Sequence, residues 1–170
     1  MIKSLGKIFK IGIVTEPYLP TQDSQLELIG DVCKKIIAAK FNGSLAIRHL
    51  DAGSCNGCEL EIHALNNAFY NIERFNIHFV ASPRHADLLL VTGPVAKHME
   101  TALITTYESI PKPKLVLVVG NCGAENSEFK GSYAIKRQVS DVIPIDGIIH
   151  GCPPNPFTLI KGILNLLKDK

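Results

Sequence analysis

Cys55 and Cys58 stand three positions apart among small residues in LDAGSCNGCELEIHAL, residues 50–65. Two more cysteines stand singly, Cys122 in GNCGAEN and Cys152 in HGCPPNP, so the spacing is C-x2-C-x63-C-x29-C. Four thiolates can hold zinc or an iron–sulfur cluster. Structural zinc usually takes two tight C-x2-C knuckles. Here one pair is tight and the other two are single, which favours a [4Fe–4S] cluster over zinc. Four unrelated thiols are the plain alternative. Gly57, Gly123 and Gly151 lie beside these cysteines, where glycine lets backbone approach closely and aim N–H groups at sulfur. Pro153 and Pro154 stiffen the last loop. The fifth cysteine, Cys33, lies within an expected helix and reads as a small buried hydrophobe.

Other chemistry-bearing residues flank the set. Glu59 and Glu61 directly follow Cys58 at the start of an expected helix. Carboxylates there complement the helix dipole; alternatively they relay protons at a subunit interface. Arg84, His85 and Asp87 lie in SPRHAD. An arginine near an anionic cluster would raise its potential, whereas an Arg–Asp pair would merely fix a loop. His150, two before Cys152, is a candidate hydrogen-bond donor to the same site. His49, His63, His78 and His98 read as surface or satisfied core residues, and none shows H-x3-H spacing.

Short apolar runs alternate with longer amphipathic ones, and these elements must position the cysteines. IFKIGIV (8–14) predicts a strand, although GKIFKIGIV could also touch a partner or a membrane surface. SQLELIGDVCKKIIAAKF predicts a helix with Ser24 and Glu27 as a capping box, and with Leu28, Val32, Ile36 and Ala39 at helical spacing. SLAIRHL (44–50) predicts a strand running into the cysteine pair. A helix is expected over 58–73, with Leu65, Ala68, Phe69 and Ile72 on one face. IHFVA, DLLLVTG and KLVLVVG predict strands, the last two buried on both faces. AKHMETALITTYESI predicts a helix ended by Pro111 and Pro113. GAENSEFKGSY reads as a loop, PIDGIIHGCPP as a short strand and turn, and NPFTLIKGILNLLK as a last helix. The fold class is α/β, a three-layer, mostly parallel sheet with helices on both faces. Open sheets of this kind place sites in loops at the carboxyl ends of strands, so three cysteine loops can converge on one edge.

The composition suits one domain over 1–170, with a strand–helix segment over 1–43 and a cluster-binding region over 44–170. A net charge of +2 and the absence of Trp give no support for a nucleic-acid surface. A mean hydropathy of +0.15 suits a subunit that buries surface against partners. Neither a dinucleotide G-x-G-x-x-G after the first strand nor a phosphate-binding G-x-x-x-x-G-K-S/T is present. No apolar run is long enough to span a bilayer, and no export signal is evident. The expected location is cytoplasmic, and the odd cysteine count argues against a disulfide framework.

GSCNGCELEI, SPRHADLLLVTGPV, PKLVLVVGNCG, IPIDGIIHGCPPNP and the helix that follows occur in this order. Together they resemble the small electron-transfer subunit shared by [NiFe] hydrogenases and respiratory complex I, there the 20 kDa or B subunit. The resemblance spans roughly residues 44–168. Complex I subunits carry adjacent cysteines at the first site, so C-N-G-C looks like the hydrogenase branch. The short chain and SPRHAD look like the group 4, membrane-associated enzymes of formate hydrogenlyase and Ech type. The resemblance implies a flavodoxin-like fold. It implies one proximal [4Fe–4S] cluster held by Cys55, Cys58, Cys122 and Cys152, and no nickel in this chain. Glu61 corresponds to a glutamate that complex I relatives carry just after their paired cysteines. Implied partners are a large subunit with the Ni–Fe site, a ferredoxin-like iron–sulfur subunit and, indirectly, membrane subunits. The implied activity is electron relay during reversible proton reduction, with the complex peripheral to the cytoplasmic membrane. The alternatives are a complex I-like quinone reductase subunit and a zinc-stabilised interaction module. GNCGAENSEFKGSY departs from the family's G-x-C-x-x-x-G-G after Cys122.

Overall fold

The structure is a computed structural model that describes residues 10–11, 24–124, 129 and 131–169. Most of the strand expected over 8–14 lies outside these residues. Its two described members, Lys10 and Ile11, have helical backbone, not extended.

Helix α1 (Ser24–Lys40) precedes strand β1 (Leu45–Asp51), helix α2 (Gly57–Ala64) and strands β2 (Ile77–Phe79) and β3 (Leu88–Thr92). Then come β4 (Val95–Ala96), α3 (Glu100–Ser109), β5 (Leu115–Val119), β6 (Ile135–Arg137), β7 (Gly147–Ile149) and α4 (Pro156–Asp169). Five strands form one parallel sheet in the order β2-β1-β3-β5-β7. This is the flavodoxin-like order: the chain leaves β1 toward one edge, returns to β3 and proceeds toward the other. Strands β4 and β6 pair separately as a short antiparallel ribbon.

Strands β3 and β5 are apolar at every position but Thr92 because both faces are covered. Leu88, Leu90, Leu117 and Val119 pack with Ile62 of α2, with Cys33 and Ile37 of α1, and with Leu159, Ile160, Ile163 and Leu167 of α4. The alternate residues Leu89, Val91, Val116 and Val118 pack with Leu103 of α3, Val139 and Ile143 on the opposite face. The expected α/β layering is therefore present.

Helix α1 is turned relative to the expected stripe. Leu26, Gly30, Cys33 and Ile37 are buried, while Leu28 is 68% exposed and Val32 37%. The cause is Gly30, which lies against the Phe75 ring so closely that a Cβ would come within 2.1 Å of it. Glycine carries no apolar signal, so the pattern of large residues points to the wrong face. Cys33 is buried as expected. Glu27 pairs with Arg74 at 2.8 Å, a long-range tie that the capping-box pattern does not foresee.

Helix α2 is also shorter than the expected 58–73. After Ala64 the Asn67 side chain accepts the N–H groups of Phe69 and Tyr70, both at 2.9 Å. A side chain that competes for backbone donors in this way favours a turn over continued helix. Phe69 is consequently exposed, while Leu65 and Ile72 remain in the core. Ala96 belongs to β4, so the following helix starts at Glu100 and not at Ala96.

Candidate metal centre

The four cysteines lie in loops that leave the carboxyl ends of β1, β5 and β7. Asp51, the last residue of β1, shapes the first loop. Its Oδ1 accepts the N–H groups of Gly53 and Ser54, both at 2.7 Å. Ser54 Oγ accepts from Asn56 N at 3.0 Å, and Asn56 adopts the left-handed conformation (φ 70°) that starts α2. Cys55 therefore sits on an exposed turn, and Cys58 lies in the first turn of α2.

Asn121 joins the other two loops. Its N–H donates to Gly151 O at 2.9 Å, and its Oδ1 accepts from Gly151 N at 3.0 Å. Gly120 N donates to Ile149 O at 2.8 Å, which continues the β5–β7 pairing. Cys122 and Cys152 are thus held side by side. Gly120 has a positive φ of +88°, and a Cβ there would stand 2.7 Å from Cys58 Sγ. The close approach of β5's loop to the α2 cysteine demands glycine.

All four cysteines line one cavity of about 120 Å³, with glycine, Ser54, Asn121 and Pro153 completing its wall. Cys55 and Cys152 are exposed, and Cys58 and Cys122 half-buried. Burial pushes the Cys58 thiol up to about 12, and Glu59, Cys122, Cys55 and Cys152 push it the same way. Four anionic sulfurs are unfavourable together here unless a cationic centre offsets them. Among the described residues, no three His, Cys, Asp or Glu side chains form a group that could chelate a single ion.

Of the two relay candidates, Glu59 is buried and Glu61 half-buried. Neither carboxylate oxygen of Glu59 has a hydrogen-bond partner, and His49 Nε2 is 3.8 Å away. His49 shares a 3.0 Å hydrogen bond with Thr92 Oγ1. Burial lowers the His49 pKa; Glu59 and Asp51 oppose the shift, while Arg48 and His63 add to it. Neither Arg84 nor His150 lines the cysteine cavity. Arg84 is exposed in the turn Pro83–His85, which leads into the start of β3 at the opposite, amino edge of the sheet. Asp87 accepts from Ala46 N at 2.9 Å there, so it anchors the start of β1. His150 is exposed beside Gly151.

Residues 55–166 match the family model described as NADH ubiquinone oxidoreductase, 20 Kd subunit. The chain belongs to the 20 kDa subunit family of NADH ubiquinone oxidoreductase. By membership this 20 kDa-family chain is an oxidoreductase subunit. It is 41% identical over 140 residues to the probable membrane-bound hydrogenase subunit mbhJ of Pyrococcus furiosus, covering 82% of this chain and 81% of that one. It is 37% identical over 140 residues to formate hydrogenlyase subunit 7 of Escherichia coli, covering 81% of this chain but 55% of the relative. A solved chain in the structure of the membrane-bound sulfane sulfur reductase, an archaeal respiratory membrane complex, superposes with a TM-score of 0.65. That chain is 35% identical, and the match covers 83% of this chain and 73% of it. The similarity to a hydrogenase subunit and a formate hydrogenlyase subunit agrees with the hydrogenase branch expected from C-N-G-C.

Asp51 and Asn121 escaped the sequence reading. Each is a lone side chain whose role is to bond backbone in a turn, and only a strand end followed by glycine hints at it.

Proposed function

We propose that this chain is the electron-relay subunit of a multisubunit, membrane-associated complex of [NiFe] hydrogenase type. In this reading Cys55, Cys58, Cys122 and Cys152 hold one [4Fe–4S] cluster. The observation that carries it is the gathering of four thiols from three separate loops on the wall of one cavity of about 120 Å³. A single tetrahedral zinc would draw its sulfurs to roughly 4 Å from one another, given Zn–S bonds of about 2.3 Å. The cavity has room for more than one water-sized group between the four cysteines. An iron–sulfur core, which takes four thiolates around a group larger than one ion, suits that room.

The group would supply a one-electron carrier of small reorganisation. The chain's own residues hold and shield it. Asn121 fixes two loops against each other, Asp51 shapes the third, and Gly120 admits Cys58 to the wall. Cys55 and Cys152 lie on the exposed side, where a partner carrying the Ni–Fe site would cover them. Leu60, two residues after Cys58 in α2, is 63% exposed. A ferredoxin-like subunit would complete the electron path. No helix among the described residues is long and apolar enough to cross a membrane, so membrane attachment would come through other subunits.

The test is iron, sulfide and zinc content of protein purified without oxygen, with an electron paramagnetic resonance spectrum after dithionite reduction. Roughly four irons and four sulfides per chain are expected. One zinc and no iron would overturn the electron-relay reading. The family match also favours a second reading, a complex I-like quinone reductase subunit. Hydrogen-dependent dye reduction by the intact complex separates the two.

A further inference from the structure

A second cavity, of about 290 Å³, is lined in part by His49. Arg48 and His49 of β1, His63 of α2 and Asn66 just after α2 line it with side chains that carry N–H groups. Ile62, Phe79 and Val80 supply apolar wall, and no carboxylate lines it. Nε of Arg48 is buried and has no hydrogen-bond partner. A guanidinium donor removed from water without an acceptor is costly, and the planar fork of its terminal nitrogens is shaped for the two oxygens of a carboxylate. Arg48 brings the one fixed positive charge among the lining residues, and burial lowers the pKa of His49, whose Nε2 lies 3.8 Å from the buried Glu59. A single carboxylate on an apolar stem satisfies this set. A phosphate would need more cations than the wall offers.

We propose that this cavity is a socket for an Asp or Glu side chain of an adjoining subunit. Three features favour a partner's side chain over a free molecule. The cavity is half-open, with a volume larger than one carboxylate, so the incoming chain can bring neighbouring atoms. His63 and Asn66 are exposed on its rim. Leu60 and Phe69, 63% and 52% exposed, flank them in sequence. Helix α2 carries both Cys58 and His63, so one partner surface can cover the thiols and place an acidic side chain on Arg48. The inference rests on the reading above only in taking the chain as one subunit of a complex.

The experiment uses the purified complex containing the full chain with R48K or N66K, each of which puts a primary amine at the cavity. A water-soluble carbodiimide joins such an amine to a carboxylate within reach, and mass spectrometry maps the amide. The expected result is a crosslink from position 48, 66 or both to an Asp or Glu of another subunit. A third variant, R48M, should release the subunit at lower salt, with retention reduced roughly tenfold or more. Crosslinks only to carboxylates of this same chain would overturn the proposal. So would an intact complex with no crosslink, or an R48M complex as salt-resistant as the original. Should R48K fail to assemble, N66K decides, because its exposed side chain carries no packing. Glutarate is the probe for a free anion. Arg48-dependent glutarate binding to the purified complex without an intersubunit crosslink would assign the cavity to a soluble ligand instead. Iron content of the same samples tests the cluster reading separately, since a crosslink in iron-free protein leaves the socket standing.

Discussion

The two edges of the parallel sheet are built by opposite means. At the amino edge, carboxylates lock strand starts: Asp87 Oδ2 accepts from Ala46 N, and Asp146 Oδ2 from Val116 N, each at 2.9 Å. Each aspartate sits just before one strand and bonds the start of its neighbour. At the carboxyl edge the turns around the cysteines lean on glycine and on the Asn121–Gly151 exchange, and two thiols face solvent. One edge is closed by internal hydrogen bonds and the other is left concave, with sulfur on its wall. A parallel sheet offers this division because every strand start lies on one side and every strand end on the other.

The contrast can be broken at the cysteine edge first. C58A should abolish iron binding while leaving the far-ultraviolet circular dichroism of the chain nearly unchanged; full iron content in that variant would remove Cys58 from the ligand set. G120A is the next largest change. It adds strain at positive φ and pushes against Cys58 Sγ, so iron loading should fall several-fold with only about 1–2 kcal/mol lost from stability. Equal losses of iron and of fold would make Gly120 a structural residue alone.

The amino edge should respond the other way. D87A and D146A each delete a charge-assisted hydrogen bond to a strand start, at a cost of about 1.5–3 kcal/mol in urea unfolding, with metal content per folded chain unchanged. The smallest effect is expected from acid. His49 is held neutral in the fold, whereas the unfolded chain takes up its proton near 6.5. Its contribution to stability is therefore present above 6.5 and fades as pH falls below that value. Replacing His49 with Phe should flatten the loss between about pH 7 and about pH 5, as read from chemical denaturation. An unaltered slope would mean that other groups govern it.

The central strands and the cysteine loops were legible because their signals are local. LLLV and LVLVV admit no polar face, and each loop cysteine follows a strand by a few residues. The turn of α1 was not legible, because what sets it is a glycine pressed on a phenylalanine more than forty positions away. Nor was the end of α2, where one amide side chain outcompetes the helix. Arg84 looked like a neighbour of the site until the parallel crossover placed its turn at the far edge. Conversely, Arg48 and His49 passed as ordinary strand residues. Their meeting with His63 and Asn66 depends on how α2 folds back over β1, and no spacing rule encodes that.

Asn121 has one more consequence, which concerns timing. The carbonyl and amide it grips belong to Gly151, so the Cys122 loop acquires its partner only when the chain beyond β7 exists. A growing polypeptide that has passed β5 but not β7 shows three of the four thiols and lacks the bridge that lines up the third. The assembled pocket is in effect a proofreading mark: any agent that requires all four sulfurs at once inspects the finished tertiary structure, and a stalled or truncated product fails inspection.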